Sequence, residues 1–261
     1  MGMGYRSMKN SKRFKTIIFV AILFSIWFAV TEWGGVSTYI LPSPKKVAES
    51  LYKVIISGEI FEDIRISYLR VLKGFFIATV IAFCFAMVRV IRPKWSDYYE
   101  STLQFMKNVP PLSLISLLIL WFGIGETTKI AIIVLTSFFP IYLNTVKGFV
   151  SCDKKLIEVG QIYGYSKVQS FLRIMLPYAL SDILVGMRIG LGYSWRAIIS
   201  AEMIAASTGL GHMILFAQQM SRTDKVIVGI LVIGIVGYLT DRLFAFIIDK
   251  SLKGVGTNGW D

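Results

Sequence analysis

The sequence has few charged residues for its length, and this scarcity decides its class. Only 17% of the 261 residues are charged, whereas an average soluble domain has about 25%. Hydrophobic residues make up 55% of the chain, and the mean hydropathy is +0.64. A soluble globule has to cover its core with polar surface, and this composition leaves too little of it. The sequence therefore predicts an integral membrane protein.

Cysteine and histidine are also scarce, which argues against several kinds of site. The two cysteines, Cys84 in an apolar run and Cys152 in a polar loop, imply no disulfide framework. The single histidine, His212, makes neither a metal site nor a catalytic triad. No phosphate-binding loop of the Gly-x4-Gly-Lys-Ser/Thr type occurs, so the chain itself is not expected to hydrolyse ATP. Residues 254–259 spell a dinucleotide pattern, but no strand precedes them, and we expect a flexible tail there. We predict no catalytic residue, no metal and no cofactor.

Long apolar runs are what the sequence does contain. A helix needs roughly 20 residues to cross about 30 Å of hydrocarbon, and several of these runs are short enough to need tilt or polar flanks. The sequence predicts an all-α polytopic protein with about six transmembrane helices. They are expected near residues 16–36, 69–91, 103–122, 128–146, 178–206 and 226–248.

The net charge of +12 would suggest nucleic acid as the partner of a soluble protein. Here the lysines and arginines cluster at the ends of apolar runs, so membrane orientation explains them better. The positive-inside rule favours a cytoplasmic position for both termini. The first run lacks a small-x-small cleavage site, so we interpret residues 1–40 as a basic tail with an uncleaved first helix.

Residues 41–68 are expected outside the cell, although the stretch from Glu32 to Arg70 that contains them carries five basic residues. Five acidic residues balance this charge. Ser43 and Pro44 are typical of a helix start, and the apolar spacing behind them predicts one or two amphipathic helices on the outer surface. We assign residues 69–250 to a transmembrane domain and residues 251–261 to a flexible cytoplasmic tail.

The most informative segment is residues 153–177, between the fourth and fifth predicted spans. Asp153 is a good helix N-cap, and Gly164 is a good left-handed terminator for the short helix between them. A second amphipathic helix is expected next, and Pro177 suits the first turn of the following span. Its apolar face is predicted from Val168, Phe171, Leu172 and Met175.

This loop resembles the signature loop of binding-protein-dependent ABC permeases. That pattern is Glu-Ala-Ala, three residues, Gly, nine residues and Ile-x-Leu-Pro. Val159 and Gly160 replace its two alanines, which keeps small side chains on the docking face. The alternative is an ordinary amphipathic loop helix on the lipid headgroups. The fixed positions are filled by Glu158, Gly164, Ile174, Leu176 and Pro177.

Other segments resemble the subgroup for alkanesulfonate, taurine and nitrate uptake, and the likeness covers residues 41–250. They are Leu41-Pro42-Ser43-Pro44, Asn108-Val109-Pro110, residues 120–125, residues 139–142 and Ala201-Glu202. The resemblance implies the type I ABC importer permease fold in the cell membrane. It also implies a homodimer, two ATPase subunits that bind the ATP, and a periplasmic or lipid-anchored solute-binding protein. The ATPase-coupling residues it implies are Glu158, Val159, Gly160, Gly164, Tyr165, Ile174, Leu176 and Pro177.

Four residues of the fifth span are candidates for the translocation path. Arg188, Trp195 and Glu202 are seven residues apart, so they lie on nearly one helix face. Charges in hydrocarbon need water or a partner, so this stripe is expected to face a cavity or a second subunit. Alternatively, both charges snorkel to opposite bilayer surfaces. Arg196 lies roughly 100° away and is expected to face the same cavity or a neighbouring span.

Four further path candidates come from the third and fourth spans, together with a packing motif. Asn108 and Pro110 open a helix whose exposed amides are expected to meet the pore, with a structural kink as the alternative. Trp121 is a gate candidate, although an interfacial anchor is the commoner role. Asn144 is a hydrogen-bonding candidate between helices, and Gly186-x3-Gly190 permits close helix packing.

The leading hypothesis is a permease subunit for a small anionic solute such as a sulfonate, taurine or nitrate. Relatives for vitamin precursors or aromatic compounds leave the solute open, because selectivity lies largely in the binding protein. A stand-alone secondary carrier is the alternative, but such carriers show internal repeats, and we find no convincing one. A membrane enzyme would need clustered His, Asp or Cys near one bilayer face.

Overall fold

The structure is a computed structural model that describes the backbone of residues 2–252 and the side chains of residues 14–250. All regular structure in this range is helical. The predicted flexible tail (residues 251–261) lies outside the described residues, apart from the end of the last helix. The basic side chains before Phe14 also lie outside them. The helices are α1 (Gly2–Trp33), α2 (Pro44–Ser57), α3 (Glu59–Ile91), α4 (Pro93–Met106), a 3-10 turn (Pro111–Leu114), α5 (Ile115–Phe122), α6 (Glu126–Val150), α7 (Lys154–Ile162), α8 (Lys167–Ser170), a π turn (Phe171–Met175), α9 (Leu176–Ala205), α10 (Leu210–Gln219) and α11 (Thr223–Leu252).

Five helices in the described range are long and apolar enough to cross a membrane, and a bent pair provides a sixth. The prediction of about six spans is therefore confirmed. The five are Phe14–Trp33, Glu59–Ile91, Glu126–Val150, Lys167–Ala205 and Thr223–Lys250; the bent pair is Pro93–Met106 with Pro111–Phe122.

Two predicted spans have other limits in the structure. The helix expected from residue 69 begins ten residues earlier, at Glu59. Its polar first part has partners within the larger unit, since Asp63 accepts a hydrogen bond from the Gly209 amide and Ser67 donates one to Glu202. The span expected over residues 103–122 is not continuous but bends by 92° between α4 and the Pro111–Phe122 segment. Proline has no amide hydrogen and its ring clashes with the preceding turn, so Pro110 and Pro111 stop the helix.

The chain forms two compact units. The smaller comprises the residues up to Ile60 and Met213–Leu231; the larger comprises Phe61–His212 and the residues from Val232 onward. In the smaller unit, the predicted helix start is confirmed: the Ser43 hydroxyl accepts a hydrogen bond from the Lys46 amide, and Pro44 lies in the first turn of α2. Helix α2 buries Val47 and Val54, as its amphipathic pattern predicts.

In the larger unit, α6 and α9 form a closely packed pair. A Cβ atom added to Gly186 would lie 2.7 Å from the Asn144 Cβ, and one added to Gly190 would lie 2.7 Å from Ile141 Cγ1. The small residues of α9 therefore let the two backbones approach, as the motif predicts. The buried hydroxyls of Ser137 and Ser194 add a hydrogen bond of 2.6 Å between the same helices.

Candidate functional site

The loop that joins α6 to α9 (residues 153–177, here the reversing loop) begins with the predicted cap. The Asp153 carboxylate accepts a hydrogen bond of 2.9 Å from the Lys155 amide, and α7 follows. Ser166 and Gln169 then form a capping box at the start of α8. Pro177 lies in the first turn of α9, where a missing amide hydrogen costs nothing. These local predictions are confirmed.

Gly164 reverses the chain after α7 in a Schellman motif. Its φ of +75° is left-handed, a conformation that glycine adopts without steric cost. The Tyr165 amide donates to the Gly160 carbonyl and the Gly164 amide to the Gln161 carbonyl, both over 2.9 Å. These two bonds satisfy carbonyls that a helix end would leave open, so the reversal has a defined geometry.

The rear face of the reversing loop is packed on the membrane bundle. The Phe171 ring stacks on Phe149 at the end of α6, with 5.5 Å between ring centroids. Leu176 packs against the same buried cluster, which includes Ala179 and Ile183. The loop is therefore held by both helices that it joins.

Inside the loop, Gly160 lies against the second helical segment. It is buried, and an added Cβ would lie 2.5 Å from Ile174 Cδ1. The Arg173 guanidinium covers the Tyr165 ring at 5.3 Å. Gly160 therefore faces the inside of the loop. The prediction that it lies on the docking face is wrong.

The outer face of α7 combines one acid with apolar groups that nothing in the described chain covers. Glu158 is exposed and forms no ion pair with a described residue. Val159 is 47% exposed, Ile162 83% and Tyr163 77%. Exposed apolar groups rimmed by polar ones mark interaction surfaces. We call these four residues the α7 face.

The predicted amphipathic face of the second helical segment is only partly correct. Phe171 and Met175 pack toward the bundle, but Val168 is 65% and Leu172 53% exposed. The π turn over Phe171–Met175 changes the helical register, so the four residues do not share one buried surface.

Replacing Gly164 with valine tests the reversal. A β-branched residue in the left-handed region costs about 1–2 kcal/mol, so the motif should open about 5- to 30-fold more often. We expect faster hydrogen exchange of the amides of residues 164 and 165 by that factor. Gly164→Asn is the matched control, because asparagine tolerates this conformation. Equal exchange in the valine variant and the wild type would contradict the motif.

Arg188 of the predicted stripe is neutralised within the chain. Its guanidinium donates two hydrogen bonds of 2.7 Å to the carboxylate of Asp241 in α11. Such bidentate pairs fix both side chains. The acid was overlooked in the sequence, although a lone aspartate within the apolar run of the sixth span was a detectable signal.

Trp195 and Glu202, the other two stripe residues, are enclosed in the larger unit. Trp195 is 7% exposed, and its Nε1 donates to the Ile233 carbonyl over 3.1 Å. Glu202 is fully buried. Trp195 and Arg188 nevertheless line one cavity of about 380 Å³, as the stripe predicts. The prediction is wrong for Glu202, because partners inside the chain take up its carboxylate.

Glu202 is the buried centre of a polar network (the Arg70 network: Asp63, Ser67, Arg70, Glu126, Lys129 and Glu202), of which Asp63 is half-buried and Glu126 exposed. Its carboxylate accepts hydrogen bonds of 2.8 Å from Ser67 and Arg70 and one of 3.0 Å from the Gly211 amide. Arg70 also donates to Glu126 and to the Thr208 carbonyl. The network joins α3, α6 and α9 to the turn before α10.

Sequence reasoning overlooked every member of this network except Glu202. The signal available in the sequence was Arg70, a charged residue at the start of a long apolar run. In the structure it is only 6% exposed. Buried charges need partners. The network also brings the Glu126 turn and the Thr208 turn together, because Arg70 donates hydrogen bonds to both.

Asn108 and Arg196 share one cavity, whereas Pro110 does not line it. The cavity has a volume of about 550 Å³ and lies between the break after α4, α6 and α9. The Asn108 amide also donates to the Gln104 carbonyl over 2.8 Å and so caps α4. The chain bends by 92° at Pro110. This confirms the structural kink, which was the alternative to backbone amides that face the pore.

Trp121 and Asn144 do not line the cavity that Asn108 and Arg196 share. Trp121 is 64% exposed at the end of α5. Asn144 donates to the Pro140 carbonyl of its own helix over 2.8 Å, so the predicted interhelical hydrogen bond is replaced by a local one. Their part in a path stays a prediction.

These features define a polytopic helical membrane protein in which a central helix pair carries a protruding, rigidly capped loop. Comparison with known families makes the class specific. The chain belongs to the family of binding-protein-dependent transport system inner membrane components, whose sequence profile matches residues 60–253. It is the membrane permease of an ABC importer that works with a separate ATPase subunit and a solute-binding protein, and it is not an enzyme.

Relatives and solved structures agree with this assignment. The putative aliphatic sulfonates transport permease protein SsuC of Bacillus subtilis is 35% identical over 251 residues, which cover 95% of this chain and 91% of the relative. The taurine transport system permease protein TauC of Escherichia coli is 32% identical over 227 residues, 85% of this chain and 82% of the relative. The permease of an amino acid ABC transporter has the same fold, with a TM-score of 0.62 at 13% identity over 78% of this chain and 97% of that one.

Proposed function

We propose that the chain imports a small anionic solute, of the aliphatic sulfonate, taurine or nitrate type, and that the reversing loop couples this import to ATP hydrolysis. The observation that carries the coupling role is the two-sided construction of the loop. Its α7 face is uncovered, while Phe171 stacks on Phe149 of the bundle.

The coupling works by contact with the ATPase subunit. Glu158 pairs with a basic group there, and Val159, Ile162 and Tyr163 enter an apolar groove. The Schellman reversal and the Phe171–Phe149 stack make the loop a stiff link. Movement of the ATPase pair therefore displaces the ends of α6 and α9. The ATP is held by the partner subunit, and this chain supplies no residue to its chemistry.

The working complex contains two copies of this chain, two ATPase subunits and an external solute-binding protein, either periplasmic or lipid-anchored. Both termini and the reversing loop lie in the cytoplasm, and the Glu126 and Thr208 turns lie outside. The distribution of lysines and arginines supports this orientation. The meeting of both turns through Arg70 supports it too, because it puts them at the same end of the larger unit.

The anionic solute is supported by the relatives and by the charge of this chain. SsuC and TauC are named for the transport of aliphatic sulfonates and taurine. A cavity of the larger unit carries Lys107 and Arg196 without an acidic residue in its lining. An amphiphilic sulfonate suits a surface that combines such cations with apolar side chains.

Reconstitution tests this function. The chain is purified with its ATPase and its solute-binding protein and placed in proteoliposomes. We expect ATP-dependent uptake of labelled ethanesulfonate or taurine, competed by the other sulfonate and not by a neutral aromatic compound or vitamin precursor. Transport by the chain alone, without an ATPase, would show a secondary carrier instead.

A further inference from the structure

We infer that Arg196 and Lys107 form an anion-binding subsite inside the larger unit, which receives the oxyanion head of a solute with a short apolar tail. The inference rests on the proposed function. It starts from the different surroundings of the two arginines of α9. Arg188 is paired with Asp241, but no carboxylate of the described residues lies within 4.0 Å of the Arg196 guanidinium.

An arginine without a counter-ion is costly at this position. Arg196 lies nine residues before the end of α9 at Ala205, about 14 Å along the helix axis. The hydrocarbon layer is about 30 Å thick, so Arg196 lies deep in a candidate span. Ionisable residues inside a membrane are tolerated where they face water, a partner or a substrate. The Arg196 guanidinium lies over the Tyr193 ring, 5.3 Å from the ring centroid.

The cavity in front of Arg196 has an unbalanced charge. Its volume is about 550 Å³, and its lining contains the cations Lys107 and Arg196 but no acidic side chain. The neighbouring cavity, of about 460 Å³, is also lined by Arg196, together with Arg188, Arg242, Asp241 and Asp249. Its three cations therefore share two carboxylates, whereas the two cations of the first cavity have no carboxylate in its lining.

The remaining lining determines the kind of anion. Asn108 and Ser200 offer neutral hydrogen-bonding groups, whereas Leu112, Phe139 and Leu143 form an apolar wall. Ligand pockets combine such walls with few polar groups. An anion with a short alkyl tail matches both parts of the lining. A lipid phosphate shares the head-group chemistry, but its head group belongs at the membrane surface rather than about 14 Å along the helix.

Arg196→Gln tests the subsite in the complete transporter with its ATPase and binding protein. We expect ATP-dependent uptake of ethanesulfonate in proteoliposomes to fall at least about tenfold, since hydrogen bonds to charged groups are the strong ones. Lys107→Gln should show a smaller loss, and Arg196→Lys should recover part of the uptake. Arg65→Gln is the matched control, because Arg65 is exposed and its one ion pair among the described residues is with Glu62; uptake by this variant should stay within about twofold.

The outcomes separate this inference from the proposed function. Normal uptake by Arg196→Gln, beside active wild type, overturns the subsite and leaves the function standing. No anion uptake by the wild type overturns the function itself. Loss of ATPase association in both Arg196→Gln and Arg196→Lys shows a structural role and also overturns the subsite. An effect seen only in vesicles with anionic lipid assigns the pair to a lipid head group and counts against it.

Discussion

Replacing Glu202 with alanine is expected to lower the free energy of unfolding by about 3–5 kcal/mol. Glu202 is fully buried and accepts hydrogen bonds from Ser67, Arg70 and the Gly211 amide. Its removal leaves the Arg70 guanidinium, itself 6% exposed, with Glu126 as its remaining counter-ion, and the Glu126 side chain is 58% exposed. Removing the buried partner of a buried charge costs far more than losing a surface contact.

The measurement is unfolding of the purified chain in mixed micelles of SDS and a mild detergent, followed by tryptophan fluorescence. Arg65→Ala is the control, because the Arg65–Glu62 pair lies on the same helix with side chains that are 70% and 59% exposed. Exposed pairs contribute little, so this change should stay within about 0.5 kcal/mol.

A double variant separates the buried pair from a general packing loss. Arg70→Met combined with Glu202→Leu removes both charges and keeps most of the apolar volume. Its loss should be smaller than the sum of the two single losses, because neither charge remains unpaired. Strict additivity, or a Glu202→Ala variant as stable as the Arg65→Ala control, would contradict the Arg70 network.

The Arg70 network and the Arg188 pair show what the helical period predicts and what it does not. A spacing of seven places Arg188 and Glu202 on one helix face, and this is correct along α9. The period cannot tell which element covers that face at each level. Arg70 and Asp241, the partners, are 132 and 53 residues away in the chain. Their approach depends on how the helices pack, which a single sequence does not show.

The reversing loop was predicted far better because its determinants are local. A cap at Asp153, a left-handed glycine at 164 and a proline at 177 each act within about four residues of their own position. The break at Pro110 is local in the same way. The π turn at Phe171–Met175 was not predictable, because it fits the loop to the bundle surface through the Phe149 contact.

Reversing the charge of Glu158 is expected to abolish ATP-dependent uptake while the chain still inserts and folds. Glu158 is exposed and forms no ion pair within the described chain, so its removal leaves no buried group unsatisfied. Surface substitutions of this kind change stability by less than about 0.5 kcal/mol. At the interface, Glu158→Lys replaces an attraction with a like-charge repulsion of several kcal/mol, and the ATPase should no longer co-purify.

The control reverses an equivalent charge on another exposed helix. Glu49 of α2 is likewise exposed and forms no ion pair among the described residues, and Glu49→Lys should retain the ATPase. A second variant, Ile162→Asp, removes the most exposed apolar residue of the α7 face and should act like Glu158→Lys. If both α7 variants keep the ATPase and full uptake, this face is not the contact. The stack of Phe171 on Phe149 then serves packing alone, since no force enters the loop for it to pass on to α6 and α9.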